Sequence, residues 1–130
     1  MILLDTNVVL WLAFEQHKLS AGARKAIDEA RRAHEGLAIS CITLLEIAML
    51  VSKGRIHLNA TLESFLSELE TLFVVLPMTS RSCARMLQLP AIYPNDPADR
   101  LIGATALVEG LSLLTADRAI RRSKAVPTIW

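Results

Sequence analysis

Five short runs of continuously apolar residues, set apart by helix-length segments, constrain this chain more than any other feature. The runs are Ile2-Leu3-Leu4, Leu37-Ala38-Ile39, Phe73-Val74-Val75-Leu76, Leu113-Leu114 and Thr128-Ile129-Trp130. A strand with one face in water alternates apolar and polar residues; these do not, so they read as strands buried on both faces. Helices fill the intervals. Ser20 is a natural N-cap for a helix over Ala21 to Ala33, whose charges include Arg24, Lys25, Asp28 and Glu29. Thr61 caps a segment in which Leu62, Phe65, Leu66, Leu69 and Leu72 form one apolar stripe. Gly54 and Gly110 are placed to end helices.

Buried strands joined through helices need crossover connections, which predicts an α/β fold: a three-layer α/β/α sandwich around a short, mostly parallel sheet. At 130 residues, with no repeat and no Gly/Ser linker, a single domain over 1–130 is expected. A composition of 52% hydrophobic and 21% charged residues excludes a disordered chain. Cys41 and Cys83 sit in apolar segments and read as small buried hydrophobes, while His17, His34 and His57 lack zinc-type spacing. Leu37 to Val51 is interrupted by Glu46 and too short to span a bilayer. No basic segment precedes the first apolar run, so a cytoplasmic protein without membrane contact is expected.

In parallel sheets ligands bind beyond the carboxyl ends of the strands. Asp5 ends the first run and Asp117 follows the fourth, which puts both on that edge. Glu46 lies just past the second run among Leu44, Leu45, Ile47, Ala48, Met49, Leu50 and Val51, where no polar face exists to solvate it. Asp96 and Asp99 bracket Pro97 at the start of an apolar helix. Local explanations stand beside the functional one: Asp5, Thr6 and Asn7 are all good N-cap residues, Asp96 before Pro97 is an ordinary capped start, and Asp99 suits the positive end of a helix dipole. Together, however, the acids repel. Two carboxylates about 4 Å apart at an effective dielectric near 20 cost roughly 4 kcal/mol if both are ionised. No lysine or histidine is expected near them; Arg100 and Arg118 each follow an acid. A hard divalent cation, Mg²⁺ or Mn²⁺, is the economical counter-charge.

The four segments Ile2-Leu3-Leu4-Asp5-Thr6-Asn7, Thr43-Leu44-Leu45-Glu46-Ile47, Asp96-Pro97-Ala98-Asp99-Arg100-Leu101-Ile102-Gly103-Ala104 and Leu114-Thr115-Ala116-Asp117 resemble, in order, the signatures of the PIN-domain family. The version most resembled is the VapC-type toxin of type II toxin–antitoxin pairs, and the likeness runs from Ile2 to Trp130. It implies a Rossmann-like fold, Mg²⁺-dependent endoribonuclease activity on an RNA substrate, a homodimer, and inhibition by a small antitoxin protein. The site acids it implies are Asp5, Glu46, Asp99 and Asp117, with Asp96 as a cap or outer-sphere ligand. Relatives with the Asp-Pro-x-Asp-Arg form often have a histidine where this chain has Pro94-Asn95.

On that reading Asp5 and Asp99 are the leading metal ligands, Asp117 completes the site, and Glu46 ligates or acts as base on the attacking water. Thr6, Asn7, Arg100 and Thr115 are candidates for supporting or substrate contacts. Setting the four acids aside, fourteen basic residues face nine acidic ones. Four of the bases (Arg118, Arg121, Arg122 and Lys124) crowd behind Asp117, either as a solvated helix face or as a rim that tracks RNA phosphates. The apolar helix containing Trp11 and Phe14, and the one over Thr43 to Lys53, are either core or partner surface. Rival readings are a non-catalytic interaction module on the same fold and a PIN-type nuclease acting on DNA. A receiver domain does not fit, because no aspartate follows the third run.

Overall fold

The computed structural model describes all of residues 1–130. Five strands form one sheet: β1 (Ile2–Leu4), β2 (Leu37–Ser40), β3 (Val74–Leu76), β4 (Leu113–Leu114) and β5 (Thr128–Ile129). Their order is β3-β2-β1-β4-β5 and every pairing is parallel. Seven helices accompany them: α1 (Thr6–Phe14), α2 (Ala21–Arg32), α3 (Cys41–Ser52), α4 (Leu62–Leu72), α5 (Ser80–Met86), α6 (Pro97–Glu109) and α7 (Arg118–Ser123), with a 3₁₀ turn over Gln16–Lys18. The expected α/β/α sandwich is therefore present, with an all-parallel sheet.

The two-residue period of the strands divides the core. Leu4, Ile39 and Leu114 point to one face and meet Val8, Ile27, Ile47 and Leu69 from α1, α2, α3 and α4. Leu3, Ala38 and Leu113 point to the other and meet Ile102 of α6, Ile120 of α7 and Tyr93. This is why the runs carry no polar alternation. The edges depart from that expectation: Val74 in β3 is 44% exposed and β5 is only half-buried, because an edge strand is covered on fewer sides. Cys41 and Cys83 are free but only partly buried, because each lies on a helix face turned partly toward solvent.

Capping explains the helix starts. Ser20 accepts a hydrogen bond from the Ala23 amide at 3.0 Å and Thr61 from Ser64 at 3.1 Å, as their sequence positions suggest. Gly110 closes α6 in the left-handed conformation, φ 66°. From β1 the chain builds outward through β2 to β3, then returns to lay β4 and β5 on the opposite side of β1. The strand order reverses between β1 and β4, and the crevice beyond their carboxyl ends is where this architecture accepts ligands.

Candidate acidic site

Asp5 leaves β1 at that crevice. Its amide still belongs to the sheet, donating to Leu114 O at 3.0 Å, while its side chain caps α1 by accepting from the Thr6 amide at 2.9 Å. The N-cap role and the edge position are thus one arrangement. From β4, the fully buried Thr115 hydroxyl donates to Asp5 Oδ2 at 2.7 Å and accepts the Asp117 amide at 3.1 Å. One side chain therefore ties two acids that follow adjacent strands, leaving the Asp117 carboxylate to cap α7 by accepting from Ile120 N at 3.0 Å.

Glu46 comes from the second turn of α3. The Thr6 hydroxyl donates to Glu46 Oε1 at 2.6 Å, and because its single proton is used there, Thr43 donates to Thr6 Oγ1 at 2.9 Å. Asp99 sits in the first turn of α6, its amide held by Asp96 Oδ2 at 3.0 Å. Tyr93 supports the same turn by donating its buried hydroxyl to Asp99 O at 2.9 Å. Gly103, one helical turn on, makes room for that ring: a β-carbon there would collide with Tyr93 Oη.

Asp5, Thr6, Asn7, Glu46, Asp99 and Asp117 thus share one cleft of about 330 Å³, a convergence the chain order only suggested. Asp96 stays on the exposed rim as a cap. Arg100 is placed elsewhere. Its guanidinium donates to the carbonyls of Met86, Leu89, Pro90 and Tyr93, stapling the α5–α6 connection to α6. The expectation that no lysine lies near the acids is corrected: Lys53, the C-cap of α3, lines the same cleft. It stands seven residues after Glu46, two helical turns along one face, and that spacing was the available sequence signal. Thr43, one turn before Glu46, was legible in the same way, whereas nothing in the sequence marked Tyr93.

The acids are held against their preference for charge. Burial, then the neighbouring carboxylates Asp5, Asp96, Glu46 and Asp117, pushes Asp99 up to about 7. Burial also raises Asp5, though its bonds from Thr115 and Thr6 work the other way, and it raises Glu46 against the bond from Thr6. None of the three ion pairs in the chain involves a site acid; they join the N-terminus to Glu35, Lys18 to Glu15 and Lys25 to Glu29. The donor set is all carboxylate oxygen, which fits Mg²⁺ or Mn²⁺ and not a thiolate- or imidazole-seeking metal. No three acidic, histidine or cysteine side chains are drawn into a ready chelating group.

Other surfaces surround the cleft. Arg118, Arg121, Arg122 and Lys124 line a separate surface concavity of about 400 Å³, beginning where Asp117 caps α7. Trp11 packs on Trp130 with ring centroids 5.8 Å apart and belongs to the core, while Phe14 stacks on Phe65 at 5.5 Å and is 49% exposed. A groove of about 500 Å³ instead uses Val9, Leu12 and Ala13 of α1 with Leu69 and Leu72 of α4, and Arg31 and His34 add basic and polar groups to its wall. No helix is long and apolar enough to cross a membrane.

The family model of the PIN domain matches residues 2–125. The chain is 37% identical to Ribonuclease VapC22 of Mycobacterium tuberculosis over 131 aligned positions, which cover 99% of this chain and 98% of that protein. Among solved structures, one described as VapBC2 from Rickettsia felis bound to a DNA fragment from their promoter aligns with a TM-score of 0.72 at 20% identity, over 98% of this chain and 97% of that one. FitAcB from Neisseria gonorrhoeae aligns with a TM-score of 0.66 at 27% identity, over 98% and 96%. The first of these structural likenesses speaks to the fold alone.

Proposed function

This chain belongs to the PIN-domain family, and we propose that it is a divalent-cation-dependent endoribonuclease acting as the toxin of a toxin–antitoxin pair, folded as a single domain over residues 1–130. The observation that carries the proposal is the convergence of Asp5, Glu46, Asp99 and Asp117 on one cleft at the β1/β4 switch point, with none of them in an ion pair. The full-length match to a protein named a ribonuclease supports the choice of RNA.

Asp5, Asp99 and Asp117 would hold the cation, for which Mg²⁺ is the proposed species with Mn²⁺ as a substitute. Such an ion, when bound, supplies Lewis-acid stabilisation of the phosphate oxygens and makes water a stronger acid. Thr115 fixes the rotamer of Asp5 and, through the Asp117 amide, the start of α7. Glu46, with one oxygen held by Thr6, presents the other to the attacking water and accepts its proton. The water oxygen bonds to phosphorus as the bond to the leaving ribose oxygen breaks, and that oxygen departs as a hydroxyl after taking a proton from solvent water. Asn7 lines the cleft beside Thr6 and is placed to meet substrate. Arg118, Arg121, Arg122 and Lys124 would hold flanking phosphates, a sequence-tolerant contact that fits the absence of any aromatic among them.

The groove between α1 and α4 is assigned to an amphipathic antitoxin helix, whose apolar anchors its Leu and Val lining suits. The apolar Leu45 (53% exposed) and Met49 on α3 are assigned to a homodimer contact, and the working compartment to the cytoplasm.

The test is cleavage of end-labelled transfer and ribosomal RNA by antitoxin-free protein in Mg²⁺, Mn²⁺ or EDTA, with Asp5→Asn purified in parallel. Discrete cuts that need both the cation and Asp5 are expected. Equal cutting by folded Asp5→Asn would overturn the site assignment, and inactivity on every RNA would return weight to a binding module. Cuts confined to DNA would assign the nuclease a different substrate.

A further inference from the structure

Of the residues lining the acidic cleft, Lys53 alone is basic, and no carboxylate pairs with its ammonium group. We propose that Lys53 is a substrate-binding residue that holds a phosphate of the RNA strand next to the one being cut; the proposal rests on the ribonuclease reading of this cleft.

Four carboxylates give the cleft a field that repels a polyanion, and a cation among them compensates only at its own position. Phosphates on either side of the scissile one still face negative charge. Lys53 stands two turns along α3 from Glu46, which separates their backbones by about 10 Å at the rise of an α-helix. Lys53 therefore reaches the cleft from a point on α3 distinct from that of Glu46, the proton-accepting residue. The basic group on α7 lies in the helix that Asp117, another cleft residue, caps. A strand crossing the acids would then meet basic charge from two elements, α3 and α7.

The local structure fixes the stem and frees the tip. The Lys53 amide donates to Met49 O at 3.0 Å, and Gly54 follows at φ 71°, so α3 ends there and the side chain leaves from a defined point. The residue itself is exposed, so the ammonium is open to solvent. A flexible point charge of this type recognises phosphate without requiring one orientation or one base. The competing account is that a cation at the last turn of α3 merely complements the helix dipole. The two accounts differ in what they predict for RNA.

The test uses the full chain in an Asp5→Asn background, so that binding is read without cleavage. The ligand is a short fluorescein-labelled single-stranded RNA of mixed sequence, titrated by anisotropy at several KCl concentrations. Adding Lys53→Gln is expected to weaken binding several-fold and to lower the slope of log K against log salt by about 0.7, the value for one lost single-strand phosphate contact. Lys53→Arg should restore both. In otherwise wild-type protein, Lys53→Gln should raise KM far more than it lowers kcat. A lower Tm with unchanged affinity and salt slope would make Lys53 a helix-end charge only, overturning the inference while leaving the nuclease reading intact. A protein that binds no RNA before Lys53 is changed would overturn both.

Discussion

Thr115 shows most clearly how single side chains build this site. Its hydroxyl spends its proton on Asp5 and its lone pair on the Asp117 amide, within a wholly buried position. Thr115→Val keeps the shape and strands both partners, which should cost about 1–3 kcal/mol of stability, the usual penalty for an unsatisfied buried polar group. Denaturant unfolding reads that loss. RNA cleavage should fall as well, since Asp5 loses the bond that opposes its protonation; a variant of wild-type stability and activity would refute the role given to Thr115. The sheet-edge positions of Asp5 and Asp117 were legible in the sequence because each closely follows a buried apolar run, whereas Glu46 was marked by its apolar helix and Asp99 only by the Asp-Pro-Ala-Asp-Arg segment. Thr115 was visible only as a neighbour of Asp117, since its partner Asp5 lies 110 residues away.

At the scale of elements, α1 serves two purposes. Its N-terminus is fixed by Asp5 and delivers Thr6 to Glu46, while its flank supplies Val9, Leu12 and Ala13 to the groove shared with α4. The sequence reads this helix as apolar nearly all round and leaves core and partner surface undivided. The fold distinguishes burial from exposure: Val8 packs inward, Trp11 meets Trp130, Val9 is buried at the floor of the groove, and Leu72 across it remains 63% exposed. Because Leu72 is exposed, Leu72→Asp should change stability by no more than about 0.5 kcal/mol. Antitoxin affinity should nevertheless fall at least about tenfold, or 1.4 kcal/mol, if an apolar helix occupies the groove. Titration calorimetry with the cognate antitoxin checks this, and unaltered affinity would move the docking surface elsewhere. RNA cleavage by the free variant should be unchanged.

For the whole molecule, the acidic cleft is a stability cost that a cation should lift. Asp99 is raised from 3.8 to about 7 by burial and by its fellow acids, so between those values the folded protein binds more protons than the unfolded chain. Asp5 and Glu46 shift in the same direction. Their contribution therefore favours the fold at the acid end of this window and is lost as pH rises through it. In EDTA, Tm should decline between about pH 5 and 7.5, and Mg²⁺ should raise Tm markedly at the upper value and little at the lower, since only ionised carboxylates bind it. A Tm shift with Mg²⁺ that is equal at both pH values would contradict a carboxylate cation site.

What the sequence by itself determined is local in origin: the strands, the helix starts set by Ser20 and Thr61, the stop at Gly110, and the layered parallel class all follow from apolar period and capping chemistry. The order β3-β2-β1-β4-β5 was decided only in three dimensions, because strand pairing joins segments far apart in the chain. The same holds for the exposure of Val74 at an edge, the diversion of Arg100 to four backbone carbonyls and the arrival of Lys53 among the acids. A residue's type fixes what it can bond and its neighbours fix its backbone, but which groups it finally faces depends on packing between segments that the linear chain keeps apart.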